Sequence, residues 1–180
     1  MNLFKRRVYL DNNATTQVSK AVRKTMNRVL KYQWGNPSAG YQKGKTANGV
    51  IKKAREQVAN AINGHPHEIY FTSCATEANN MVLKLLSDHF YPTKTKIITS
   101  PIEHSSVLKT LEYLKTKGID VQYCPVDQYG FVLVDELKKQ IDDNTFLICC
   151  MLANNEIGTI QNIRQITALA KKHSVLVMSD

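Results

Sequence analysis

No run of about 18 consecutive apolar residues occurs in this 180-residue sequence, so no stretch has the length and polarity of a transmembrane helix and no membrane partner is expected. The first ten residues, MNLFKRRVYL, carry positive charge but lack the apolar segment and small-residue cleavage site of a secretory leader. A mitochondrial presequence is longer and richer in Ser and Arg, so the expected location is the cytoplasm. Cysteine is scarce, with four residues, Cys74, Cys124, Cys149 and Cys150, in no metal-ligand spacing. Cys149 and Cys150 stand in an apolar run and read as small buried hydrophobes in a reducing compartment, and Cys124 follows a predicted strand as a structural residue. Only Cys74 falls where chemistry is expected, ahead of a helix whose N-terminus lowers a thiol pKa. Acidic residues are also in deficit, 15 against 24 basic, for a net charge of +9. That excess raises the question of nucleic acid. The lysines and arginines are scattered along helical stretches, without an aromatic stacking platform or a nucleic-acid motif, so solvated faces and no direct nucleic-acid partner are predicted.

What is present is an alternation of strands and helices with 43% apolar residues, enough for one domain with a real core. Residues 8–10 read as a short strand before the polar loop 11–16, followed by a helix over 19–32 with Val22, Met26, Val29 and Leu30 on its buried side. The segment 34–40 is a Pro/Gly turn, its two glycines permitting unusual φ, of the kind that can lie over a site. A helix over 46–62 with Val50, Ala54, Val58, Ala61 and Ile62 inward ends at Asn63-Gly64. Strands are predicted at 69–71, 96–99, 121–124, 145–152 and 174–179. Helices are predicted from about 76, carrying Met81, Val82, Leu85 and Leu86 inward, and then through Leu114 with Gly118 as its stop, over 135–141, and over 163–173. The almost continuously apolar TFLICCML of 145–152 suits a strand buried on both faces of a parallel sheet. The fold class is therefore α/β, a three-layer, mostly parallel sheet.

The centre of the chain is HEIYFTSCATEAN, residues 67–79, a strand that breaks into small polar residues and restarts as a helix. The first N–H groups of such a helix lack intrahelical partners and, with the positive end of the dipole, seat an anion; Ser73 and Thr76 can add hydroxyls. The same pattern also serves as an ordinary helix N-cap. Ligands in open α/β sheets sit at the carboxyl ends of the strands. That rule collects Thr76, His104, Asn155 and Asp180 on one rim, where an anion seat, an imidazole, an amide and a carboxylate suit pyridoxal 5′-phosphate: donors for its phosphate, a flat group for its ring, and an acid to keep the ring nitrogen protonated. Each residue also has a plain structural reading, as a cap or a turn.

YLDNNATT (9–16), GNPS (35–38), FTSCATEANN (71–80), EHSSVL (103–108), NNEIGTIQ (154–161) and the terminal strand with Asp180 together resemble the N-terminal half of cysteine desulfurases of the NifS/IscS type. These are class V aminotransferase-like, fold-type I enzymes dependent on pyridoxal phosphate. The resemblance implies that residues 1–15 belong to a small domain and a substrate-side loop, and 16–180 to an incomplete cofactor-binding large domain. By position, Ala75 and Thr76 would hold the phosphate and His104 would stack on the ring and move protons. Asn155 would contact cofactor and substrate, Asp180 would pair with the ring nitrogen, and Asn12 to Thr15 would lie toward the substrate. The implied activity is transfer of sulfur from L-cysteine, leaving L-alanine, to sulfur-acceptor or scaffold proteins of iron–sulfur assembly or to tRNA thiolation, by a homodimer.

Two positions depart from the family pattern. Cys74 stands where the family has Gly, so that a Cβ could crowd the anion seat or replace a positive φ, and Tyr41 stands where His is common. The family's Schiff-base lysine, sulfur-accepting cysteine and substrate-gripping arginine all lie beyond the equivalent of Asp180, so the chain alone is expected to be inactive. A noncatalytic scaffold or half of a split desulfurase, and a selenocysteine lyase, remain as the alternatives.

Overall fold

The computed structural model describes residues 8–180. Its contacts divide the chain into two compact units, Met1–Phe71 and Thr72–Asp180. In the first, α1 (Lys20–Tyr32) begins where the Ser19 hydroxyl accepts the Val22 N–H at 3.3 Å, an N-cap that relieves one orphan donor. Helix α2 (Gln42–Ala61) ends in a Schellman arrangement: Asn63 takes the left-handed conformation (φ 55°) while the Gly64 N–H reaches back to the Ala59 carbonyl at 2.8 Å. The left-handed residue is thus the asparagine, whose short polar side chain tolerates αL. A 3₁₀ turn, Pro66–Glu68, follows, closed by the Glu68 carboxylate accepting the His65 N–H at 2.7 Å.

The second unit holds a four-stranded sheet of β1 (Lys96–Thr99), β2 (Asp120–Tyr123), β3 (Thr145–Cys149) and β4 (Leu176–Met178), in the order β2-β1-β3-β4 with every pair parallel. Side-chain alternation along the strands sends Ile97, Val121, Leu147 and Cys149 to one face, against Leu83 of α3 (Ala75–Phe90) and Val107, Leu111 and Leu114 of α4 (Ser105–Lys115). The opposite face carries Ile98, Ile148 and Cys150 against Leu137 of α5 (Val134–Gln140) and Ile166 and Ala170 of α6 (Ile163–Lys172). This is the expected three-layer α/β/α arrangement. Every residue of β3 is buried, as its unbroken apolar run requires. Each Leu or Ile so buried contributes about 1.5–3 kcal/mol relative to exposure. Gly118, at φ 93°, turns the chain from α4 into β2, as its place in the sequence predicts.

Several expectations are overturned. Residues 8–10 and 69–71 form no strand: Tyr70 and Phe71 are exposed, and neither segment has a neighbour in the sheet to hydrogen-bond to, without which a strand does not exist. The apolar stripe of α1 is not buried; Val22, Met26 and Leu30 are 49%, 52% and 69% exposed. On α2, Ala47 and Ala59 are buried instead of Val58 and Ile62. On α3, Met81 and Leu85 face solvent while Leu83 is buried, with Val82, Leu86 and Phe90 packed beside it. Gly35 and Gly40 adopt no positive φ. What the 34–40 turn does require is a Cβ-free neighbour, since a Cβ on Gly44 would stand 2.6 Å from the Asn36 carbonyl oxygen.

Candidate functional site

Helix α3 opens at Cys74, whose backbone is extended (φ −165°), a conformation any residue adopts; the anticipated need for positive φ at this position does not exist. The N–H groups of Ala75, Thr76 and Glu77 belong to the first turn and have no intrahelical carbonyl to bond. The thiol makes no side-chain cap hydrogen bond of ordinary geometry. Even so, the Glu77 N–H directed at its sulfur, and then the Ser73 hydroxyl, hold the Cys74 pKa below the usual cysteine value. The Ser73 donors are not free for a ligand as the sequence suggested: both its N–H and its hydroxyl donate to the Glu77 carboxylate at 2.6 Å, which lowers the Glu77 pKa. Thr76 is exposed at the same turn.

His104 is the N-cap of α4, which is the plain structural reading of that residue. Its Nδ1 accepts the Ser106 N–H at 3.2 Å and lies 2.8 Å from the Ser106 hydroxyl, which in turn accepts from the Asn79 amide at 3.0 Å. An Nδ1 that accepts from a backbone N–H places the proton of the neutral ring on Nε2. The chain Asn79, Ser106, His104 therefore runs from the first turns of α3 to the imidazole. Thr76, Asn80, Ser105, Ser106 and Lys109 line one open cleft of about 350 Å³ between the starts of the two helices.

Strands β1, β3 and β4 are successive parallel neighbours, so their carboxyl ends share one rim, with His104 following β1, Asn155 following β3 and Asp180 following β4. Two buried residues that the sequence reading passed over connect these loops. Glu103 Oε1 accepts from the Ser100 hydroxyl at 2.5 Å and from the Met151 N–H at 3.1 Å. Burial pushes its carboxyl pKa up, those two hydrogen bonds oppose the shift, and the charge of nearby Asp180 adds to it. Asn154 donates from Nδ2 to the Ile102 carbonyl at 2.8 Å and accepts the Glu156 and Ile157 N–H groups at 2.8 and 3.0 Å. Asn155 is exposed, its amide donating to Glu156 at 3.0 Å, and the Asp180 carbonyl accepts the Leu152 N–H at 2.9 Å. The sequence signal for Glu103 and Asn154 was their place at the head of the motifs EHSSVL and NNEIGTIQ, directly before His104 and Asn155.

A parallel sheet between two helical layers, with the first turns of α3 joined to the His104 imidazole by hydrogen bonds, has the architecture of the large domain of pyridoxal-phosphate-dependent transferases. The chain belongs to the aminotransferase class-V family, which matches residues 8–180. A cysteine desulfurase IscS of Methanosarcina thermophila is 44% identical over 173 residues, covering 96% of this chain and 43% of that protein. Among solved structures, a NifS-like protein superposes with a TM-score of 0.95 at 46% identity, over 97% of this chain and 48% of that one. SspA, solved in complex with cysteine, superposes at 0.92 and 37% identity over 96% of this chain and 50% of that one. The chain thus spans less than half the length of the curated relatives it matches. Among the described residues no helix is long and apolar enough to cross a membrane.

Proposed function

We propose that these residues form the cofactor-binding part of a cysteine desulfurase, which takes pyridoxal 5′-phosphate and converts L-cysteine to L-alanine with transfer of the sulfur. The observation that carries this reading is the rim itself: His104, Asn155 and Asp180 lie in the segments that follow three adjacent parallel strands, and a hydrogen-bonded chain joins His104 to the first turns of α3. The α3 terminus fits a phosphate because the N–H groups of Ala75 and Thr76 have no intrahelical carbonyl to bond and Cys74 makes no side-chain cap hydrogen bond of ordinary geometry. Ala75 and Thr76 hold that phosphate, His104 lies against the ring, and Asp180 pairs with the ring nitrogen. Asn155 reaches the phenolic oxygen or the substrate carboxylate; its exposed bond to Glu156 is cheap to exchange. When bound, the cofactor would supply an electron sink for carbanion chemistry at the substrate's α-carbon. Asp180 keeps the ring-nitrogen proton in place. Ser106, fixed by Asn79, orients the imidazole so that Nε2 is the edge that carries and moves a proton.

In the whole enzyme, residues 8–15 would belong to the small domain and 16–180 to the large one, the rest of the expected 1–15 segment lying outside the described residues. The sulfur passes to acceptor or scaffold proteins of iron–sulfur assembly, in the cytoplasm and from a homodimer. The Schiff-base lysine of the whole enzyme is assigned to none of these residues, and on this reading residues 8–180 alone hold the cofactor without turning over cysteine. Titration of the chain with pyridoxal 5′-phosphate, followed by absorbance and tyrosine quenching, tests this. Saturable binding weakened about tenfold by His104→Ala and by Asp180→Asn, with no alanine released from cysteine, is the expected result. Absence of saturable binding, or binding indifferent to both substitutions, overturns it.

A further inference from the structure

The two residues that join the rim loops are among its most buried polar side chains, Glu103 at 6% and Asn154 at 7% exposure. Glu103 fastens the turn after β1 to the exit of β3 through Ser100 and Met151, and Asn154 fastens the loop after β3 back to the same turn through Ile102. The two ties run in opposite directions between the same two segments. Each tying residue directly precedes a rim residue, Glu103 before His104 and Asn154 before Asn155. The segment between Met151 and Asn154 also carries the end of β4, since the Leu152 N–H donates to the Asp180 carbonyl.

A carboxylate is an expensive choice for a fastener. Burying one costs free energy unless it is paired with a cation, and no described ion pair involves Glu103. Asp180, just past β4, and the thiols of Cys149 at the end of β3 and Cys150 beyond it are ionisable groups that interact with Glu103, and none of them is a cation. What the position uses is an acceptor oxygen held between two donors on different segments, the Ser100 hydroxyl just after β1 and the Met151 N–H just after β3.

Resting on the cofactor reading above, we infer that Glu103 is a positioning residue, which with Asn154 fixes the spacing of His104, Asn155 and Asp180 across β1, β3 and β4 and so presets the rim for its ligand. Its partners set the test. Glu103→Gln keeps an acceptor oxygen, Glu103→Ala removes it, and Ser100→Ala removes only the shorter bond. Ring ¹H–¹³C resonances of His104 are recorded on ligand-free protein, alongside far-UV circular dichroism and the dissociation constant for pyridoxal 5′-phosphate. Displaced His104 resonances and about tenfold weaker binding in Glu103→Ala, both restored in Glu103→Gln, are expected, with circular dichroism unchanged. Wild-type resonances and binding within twofold in a folded Glu103→Ala would show a structural role only and overturn the inference. Should Glu103→Ala not fold, Ser100→Ala decides between the same outcomes, with a smaller displacement supporting positioning and none refuting it. If the wild-type chain binds no cofactor, the cofactor reading fails, while the ligand-free His104 resonances still decide the role of Glu103.

Discussion

Cys74 and the other three cysteines differ in their surroundings, and reactivity should separate them. Cys74 is exposed with its thiol pKa held down by the α3 terminus, whereas burial pushes Cys124 up to about 11, Cys150 up to about 12 and Cys149 well above the ordinary value. Iodoacetamide at pH 7 should therefore modify Cys74 to completion while the others react only after denaturation, as read by peptide mass spectrometry. Early labelling of Cys149 or Cys150 would contradict the packing of β3. Glu103 titrates in the opposite sense from a salt-bridged acid. Because its folded pKa lies above the unfolded one, the stability tied to its proton is complete below about pH 4, the unfolded range, and is lost as pH rises through the folded value. Glu103→Gln removes that loss, so its melting temperature relative to wild type should rise steadily from pH 4 to pH 7. A difference that is flat across this range would mean the carboxyl is not perturbed.

At the scale of elements, β1 and α4 to α6 were legible because their periodicity and their burial have the same cause, packing on a sheet contained within these residues. On α3, by contrast, only Val82 and Leu86 of the expected face pack against the core. KIIT at 96–99 needed no correction at all. The segments misread, 8–10 and 69–71 as strands and the α1 stripe as core, carry the right local pattern without a packed neighbour to satisfy it. Strand-end logic placed His104, Asn155 and Asp180 after neighbouring parallel strands, where the structure has them, while the ties between their loops were illegible, since a buried Asn or Glu in a polar loop looks like any turn residue until its partners are known. Asn154 shows how much such a tie matters. Asn154→Ala leaves the Ile102 carbonyl and two N–H groups without their partner, and should destabilise the chain by about 3 kcal/mol in urea unfolding. A loss under about 0.5 kcal/mol would mean that these bonds are replaced by water.

At the scale of the whole molecule, the described surface keeps apolar side chains that ordinary folding would cover: Val22, Met26 and Leu30 along α1, and Leu176 on β4, whose second edge has no strand beside it. Replacing Val22, Met26 and Leu30 together by Gln should leave the urea midpoint within the range of surface substitutions, about 0.5 kcal/mol each, and reduce concentration-dependent light scattering. A large loss of stability would show that this stripe is buried in solution. The central claim is that one rim of the sheet, from the start of α3 to the end of β4, is a single binding place. Amide chemical-shift mapping with pyridoxal 5′-phosphate tests it most directly. The account predicts that the largest shifts fall together on Ala75, Thr76, Ser105, Asn155 and Asp180; shifts confined to residues of α1 and α2, or to the opposite ends of the strands near Lys96 and Thr145, would contradict it.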